Sequence, residues 1–187
     1  MTRQVFDYAH PDRFVVGTVG MPGERTFFLQ VRQGNAVTSV ALEKAQVAAL
    51  AERVDQLLDE ATTRPGGETI PAAGVVGSTD SAPLDAPIVE EFRVGAMALG
   101  WDEAENRVVI EAHAVTEDDE EIPDIGDDDA DGPDTLRVWM TAGYARGFAE
   151  RARTVVSAGR PPCPFCSQPL DPAGHVCPRA NGYRRRS

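Results

Sequence analysis

The chain has 187 residues, 18 of them Lys or Arg and 30 Asp or Glu, for a formal net charge of −12. Its length supports one compact domain with a small appendage, and 42% hydrophobic residues exclude a wholly disordered chain. No apolar run reaches the roughly 18 residues of a membrane-spanning helix. The opening Met1-Thr-Arg-Gln-Val-Phe-Asp-Tyr lacks the apolar stretch of a secretory signal, so a cytoplasmic protein is expected.

In chain order, alternating or β-branched stretches predict strands at Gln4 to Tyr8, Arg13 to Val19, Arg25 to Arg32 and Ala36 to Leu42. The pairs Pro22-Gly23 and Gly34-Asn35 supply turns between the later ones. Val47, Leu50, Ala51, Val54, Leu57, Leu58 and Ala61 then recur at three- and four-residue steps, which predicts a helix with one apolar stripe, stopped by Pro65-Gly66-Gly67. Residues 64–87 carry Pro65, Pro71, Pro83 and Pro87 among small residues and read as a mobile connection. Further strands are predicted at Glu90 to Trp101, Arg107 to Val115 and Thr135 to Met140. A second helix is expected from an N-cap at Thr141 to Ala158, with Tyr144, Ala145, Phe148, Ala149, Ala152, Val155 and Val156 on one face and Gly159 ending it.

The two rounds resemble each other. Phe14-Val15-Val16-Gly17 matches Phe92-Arg93-Val94-Gly95, and Val40, Leu42, Leu50, Ala51, Glu52 and Arg53 match Val138, Met140, Phe148, Ala149, Glu150 and Arg151. An α+β fold of two tandem antiparallel strands-plus-helix repeats, related by a pseudo-twofold, is therefore expected. The corresponding segments are 1–63 for the first repeat, 64–87 for the linker, 88–160 for the second repeat and 161–187 for a cysteine-bearing basic tail.

The net charge is uneven. Residues 117–134 contain 11 acidic side chains and no basic one, leaving 19 acidic against 18 basic elsewhere. From residue 160 onward the chain carries Arg160, Arg179, Arg184, Arg185 and Arg186 against Asp171, or +4. Inside the acidic stretch, Asp127, Asp129, Asp131 and Gly132 fit the first half of a calcium loop, but Pro133 and Val138 occupy its seventh and twelfth positions. A solvated insertion is the expected state of this loop, with calcium binding and docking to a basic partner as alternatives.

All three cysteines lie in the tail, as Cys163-Pro-Phe-Cys166 and His175-Val-Cys177. A chain without a secretion signal keeps its thiols reduced, so clustered cysteines point to metal ligands before disulfides. Three thiolates and one imidazole are the donor set and number of a structural Zn²⁺ site, and Pro169, Pro172 and Gly174 favour the turn that returns the second pair. Cys163, Cys166, His175 and Cys177 are therefore the expected ligands of a zinc knuckle. A catalytic zinc would leave one position open, so a structural role is expected.

His10 and His113 fall alone in probable strands, and Trp101 and Trp139 read as core aromatics. No nucleophile elbow, P-loop or dinucleotide fingerprint is present. Catalytic and cofactor-binding residues are thus not assigned.

The tail Cys163-Pro-Phe-Cys166-Ser-Gln-Pro-Leu-Asp-Pro-Ala-Gly-His175-Val-Cys177-Pro-Arg-Ala-Asn-Gly-Tyr, joined to a body opening Phe6-Asp7, is similar to a family of uncharacterised proteins from high-GC Gram-positive bacteria. The resemblance covers essentially the whole chain, and the Cys/His tail is its most specific motif. It implies no assigned activity. The acidic insertion is where members are expected to differ most. Three functional classes stay open: a non-enzymatic interaction or adaptor module with a protein partner, a single-stranded nucleic-acid-binding module, and an enzyme with an unrecognised site.

Overall fold

The computed structural model describes residues 3–63, 80–116, 123–128, 131–159, 163–168, 170, 175, 177 and 179. Its strands are β1 (Val5–Tyr8), β2 (Arg13–Val19), β3 (Thr26–Gln33), β4 (Ala36–Leu42), β5 (Glu90–Asp102), β6 (Arg107–Ala114) and β7 (Thr135–Thr141). The helices are α1 (Lys44–Thr63) and α2 (Ala142–Ser157). Both follow the predicted apolar stripes: α1 buries Val47, Leu50, Ala51, Val54, Leu58 and Ala61. Thr141 caps α2 as expected, accepting a hydrogen bond from the Tyr144 backbone N–H.

One seven-stranded sheet runs in the order β1-β7-β6-β5-β4-β3-β2. Pairings within each half are antiparallel, whereas β4 with β5 and β1 with β7 are parallel. The matched sequence stretches occupy corresponding places, Phe14–Gly17 on β2 and Phe92–Gly95 on β5, then Val40 and Leu42 on β4 and Val138 and Met140 on β7. The β4–β5 seam is parallel, and the two halves, β2-β3-β4 and β5-β6-β7, run in the same order and sense across the sheet.

The sheet is strongly curled. In a flat sheet β1 and β4, four strand spacings apart, would stand about 19 Å from each other. Instead the Tyr8 hydroxyl lies 2.7 Å from that of Thr38 on β4, and Phe6 meets Phe92 on β5 with ring centroids 6.4 Å apart. The bend is built into β5. Its first residues pair with β4, the rest pairs with β6, and the register breaks between Val94 and Ala96. Gly95 sits in that corner, where a Cβ would come within 2.8 Å of the Val115 Cα. The helices pack inside the curl, with Phe14 of β2 stacked on Phe148 of α2 at 4.7 Å.

Part of the expected mobile connection is instead held in place. Residues 64–79 lie outside the described residues, but Asp80 onward lies across β2 and α2. Arg13 pairs with Asp80 and Asp85 and donates to the carbonyls of Ala82 and Pro83. Arg151 of α2 donates to the carbonyls of Val16 and Ala82, each at 2.8 Å. Leu84 lies so close over Gly17 that a Cβ there would fall 2.4 Å from its Cγ, so Gly17 serves close approach. Proline-rich composition removes hydrogen-bond donors, but two buried guanidiniums bind this segment through its carbonyls.

Candidate metal centre

The tail sequence turns tightly because Cys-x-x-Cys folds its backbone back on its own sulfur. The Cys163 N–H donates to the Gln168 carbonyl at 2.7 Å and the Ser167 N–H to the Cys163 carbonyl at 2.8 Å. Ser167 completes the turn in the left-handed region at φ 60°. Within it, the backbone N–H of Phe165, then that of Cys166, faces the Cys163 sulfur and lowers its pKa to about 6.

The structure brings all four expected residues together. The ligand atoms of Cys163, Cys166, His175 and Cys177 lie within 4.8 Å of one another, and Cys163 and Cys177 are buried. Cys163 Sγ and Cys177 Sγ are 3.7 Å apart, far beyond the ~2.05 Å of a disulfide, and the three cysteines are free. Around a tetrahedral zinc with Zn–S bonds of about 2.3 Å, two sulfurs would stand about 3.8 Å apart. Cys166 Sγ lies 3.2 Å from His175 Nε2, which makes Nε2 the donor nitrogen. The Gln168 N–H favours the Cys166 thiolate, yet burial and the neighbouring Cys163 and Cys177 sulfurs raise its pKa. Crowded thiolates repel one another, and a dication among them would remove that repulsion. The donor set and its spacing thus fit a metal ion, which these four residues can hold.

A second polar cluster escaped the sequence reading. Glu111 on β6 and Arg137 on β7 face each other in register and are both buried. Their ion pair is completed by the Gly126 N–H, which donates to Glu111 Oε1 at 3.0 Å. Arg137 also reaches Asp128 at 2.7 Å, the Asp127 carbonyl at 3.0 Å and Asp7 at 3.3 Å. Burial lowers the guanidinium pKa, but the bonds to Glu111 and Asp128 outweigh it and raise the net value. The described part of the acidic stretch, residues 123–128 and 131–134, stays at the surface as expected of a solvated insertion, and these bonds tie it to the sheet. Glu117 to Glu121 and Asp129 lie outside the described residues.

The remaining singled-out residues take structural places. His10 is exposed, whereas His113 is buried beside Glu111 with Nδ1 3.0 Å from the Thr135 hydroxyl. Its Nε2 faces Glu111 Oε2 at 3.5 Å. Trp101 packs against the core as expected. Trp139 does not: its ring lies under Arg107 and its Nε1 donates to Asp7 at 3.1 Å. Where α2 ends, a cavity of about 570 Å³ is lined by Gly23, Arg25, Phe27, Lys44, Val156, Ser157 and Gly159.

Fold and site together define an α+β protein, with two helices on a curled seven-stranded sheet and a C-terminal Cys/His cluster able to hold a metal. No described helix is long and apolar enough to cross a membrane. The chain belongs to a family described as a protein of unknown function (DUF3090), whose model matches residues 6–177 and so includes all four cluster residues. No curated protein and no solved structure matches it.

Proposed function

We propose that this protein is a non-enzymatic interaction module of the cytoplasm whose C-terminal lobe is organised by a structural Zn²⁺ held by Cys163, Cys166, His175 and Cys177. The carrying observation is the convergence of the four donor atoms within 4.8 Å of one another. Soft sulfur and imidazole donors in tetrahedral number favour zinc, and four protein ligands close the shell against a substrate. Metal binding would then supply folding free energy to a lobe with few apolar residues, on the order of 10–16 kcal/mol for sites of this kind. In the body, buried Glu111 pairs with Arg137 and accepts from the Gly126 N–H, and His113 Nδ1 lies 3.0 Å from the Thr135 hydroxyl.

Elemental analysis of the chain purified without chelator tests the metal reading. One zinc per chain is expected, falling below about a tenth in Cys163→Ser. A metal-free wild-type chain, or a Cys163–Cys177 disulfide in its mass spectrum, would refute it.

A further inference from the structure

The sheet leaves one strand edge open in its middle. From Ala96 to Asp102 β5 pairs with β6, while β4 meets β5 only at Glu90 and Arg93. Past the bend, no other strand among the described residues pairs with that side of β5. The two outermost edges are protected. On β2 the Tyr144 hydroxyl accepts from the Phe14 N–H at 2.7 Å, and Arg151 binds the Val16 carbonyl at 2.8 Å. On the other side β1 is four residues long and carries Asp7. Short strands, charges and covering side chains keep an edge from pairing with other chains. Gly95-Ala96-Met97-Ala98-Leu99-Gly100-Trp101 has no charge and no proline in seven residues.

This edge lines a groove. A cavity of about 460 Å³ has Ala45, Ala49 and Arg53 of α1 on one wall and Met97, Ala98 and Leu99 of β5 on the other. Strand side chains alternate between faces, so three consecutive lining residues place the cavity along the edge of β5 and not over one face. Gln46 closes the Gly95 end, donating from Nε2 to the carbonyls of Val94 at 3.1 Å and Gly95 at 3.2 Å. Arg53 lies two helical turns further on, about 10 Å along α1, a span of about three extended residues. Its guanidinium binds the neutral Gln56 side chain and no carboxylate among the described residues.

We propose that this groove binds an extended, acid-bearing peptide segment of a partner protein, which adds to β5 as a strand and sets a carboxylate against Arg53. An open edge recognises another backbone, so main-chain N–H and C=O groups supply the affinity, and walls of alanine favour small or β-branched side chains. A second copy of the chain fits less well. Paired edge to edge, it would bring the uncharged residues 95–101 to Arg53 and join two bodies of charge −12. The groove lies on the sheet body, so the inference goes beyond the metal-organised lobe proposed above and stands apart from it.

The test uses the full-length chain and fluorescence anisotropy with labelled, C-terminally amidated Thr-Val-Ala-Val-Thr peptides. One carries Asp before this core and one after it, because a strand can add in either direction. Saturable binding of at least one, with Kd below about 1 mM, is expected. N-methylation of alternate backbone nitrogens should weaken that binding at least about 5-fold in one frame, where the N–H groups face β5, and leave it unchanged in the other. Asp→Asn in the peptide and Arg53→Gln in the chain should each cost about 2- to 5-fold, and the two losses should not add. Ala49→Arg, at an exposed position of α1, fills the groove and should abolish binding with the urea midpoint unchanged. A chain that binds neither peptide at about 1 mM would overturn this inference, while the zinc content of the same sample reports on the metal separately. It also falls if both methylation frames weaken binding equally or if Ala49→Arg binds as wild type does. A dimer in sedimentation equilibrium that Ala49→Arg dissolves would overturn it too, by giving the groove to a second copy.

Discussion

Replacing Arg137 with Met would leave the fully buried Glu111 carboxylate without its counter-charge while keeping the volume of the side chain. Breaking a buried ion pair from one side costs about 3–5 kcal/mol, because the stranded charge cannot be solvated. The variant also loses the anchors to Asp7 and Asp128, whose exposed rims add at most about 1 kcal/mol each. For a chain of this size such a loss lowers Tm by roughly 6–20 °C. Urea unfolding at pH 7, followed by fluorescence of Trp101 and Trp139, measures it. Glu111→Met in the same chain should recover most of the loss, since an apolar pair of similar volume needs no charge partner. Hydrogen exchange should show the Gly126 amide deprotected in the double variant, because its acceptor is the Glu111 carboxylate. A cost below about 1 kcal/mol for Arg137→Met, or additive effects in the double variant, would refute the assignment of this pair as the anchor of the acidic loop.

His113 makes stability depend on pH. Burial holds its pKa below the ordinary value, with Glu111 opposing and Arg3 and Arg137 reinforcing the shift. The folded chain therefore resists a proton that the unfolded chain accepts, so this contribution is complete above about pH 6.5 and is lost as pH falls below it. Comparing urea midpoints at pH 7.5 and 5.5, His113→Gln should show a smaller drop than wild type, and an equal drop would dismiss the effect. Gly95→Ala places a Cβ against the Val115 backbone at the bend of β5, so about 1–3 kcal/mol of destabilisation is expected by chemical denaturation. Indifference to that substitution would mean that the corner does not need glycine.

Much of this protein was legible from local pattern alone. The period of Val47, Leu50, Val54, Leu58 and Ala61 set the buried face of α1, and Thr141 marked the start of α2, because helix amphipathicity and capping are properties of a few neighbouring residues. The Cys/His cluster was legible for the same reason: its four residues fall within 15 residues of chain and their donor types restrict the chemistry. Charges inside apolar strands were the overlooked signal. Glu111 in Val108-Val109-Ile110-Glu111 and Arg137 in Leu136-Arg137-Val138 are each a lone charge in an apolar run, and only the β6–β7 register shows that they meet.

Pairing across the chain was decided by tertiary structure. Nothing local says that β4 and β5 run parallel, that β1 joins β7 from the far end of the sequence, or that the curl carries Tyr8 to Thr38. Those contacts depend on which strand edges meet after the helices have covered the apolar face. The same holds for the two segments whose composition suggested solvent. Proline-rich 80–87 and acidic 123–128 read as loose because the guanidiniums that bind them, Arg13, Arg151 and Arg137, are distant in sequence for the first and on the next strand for the second. Composition reports what a segment can do alone in water, whereas a buried Arg with open donors on a neighbouring surface decides whether it stays there.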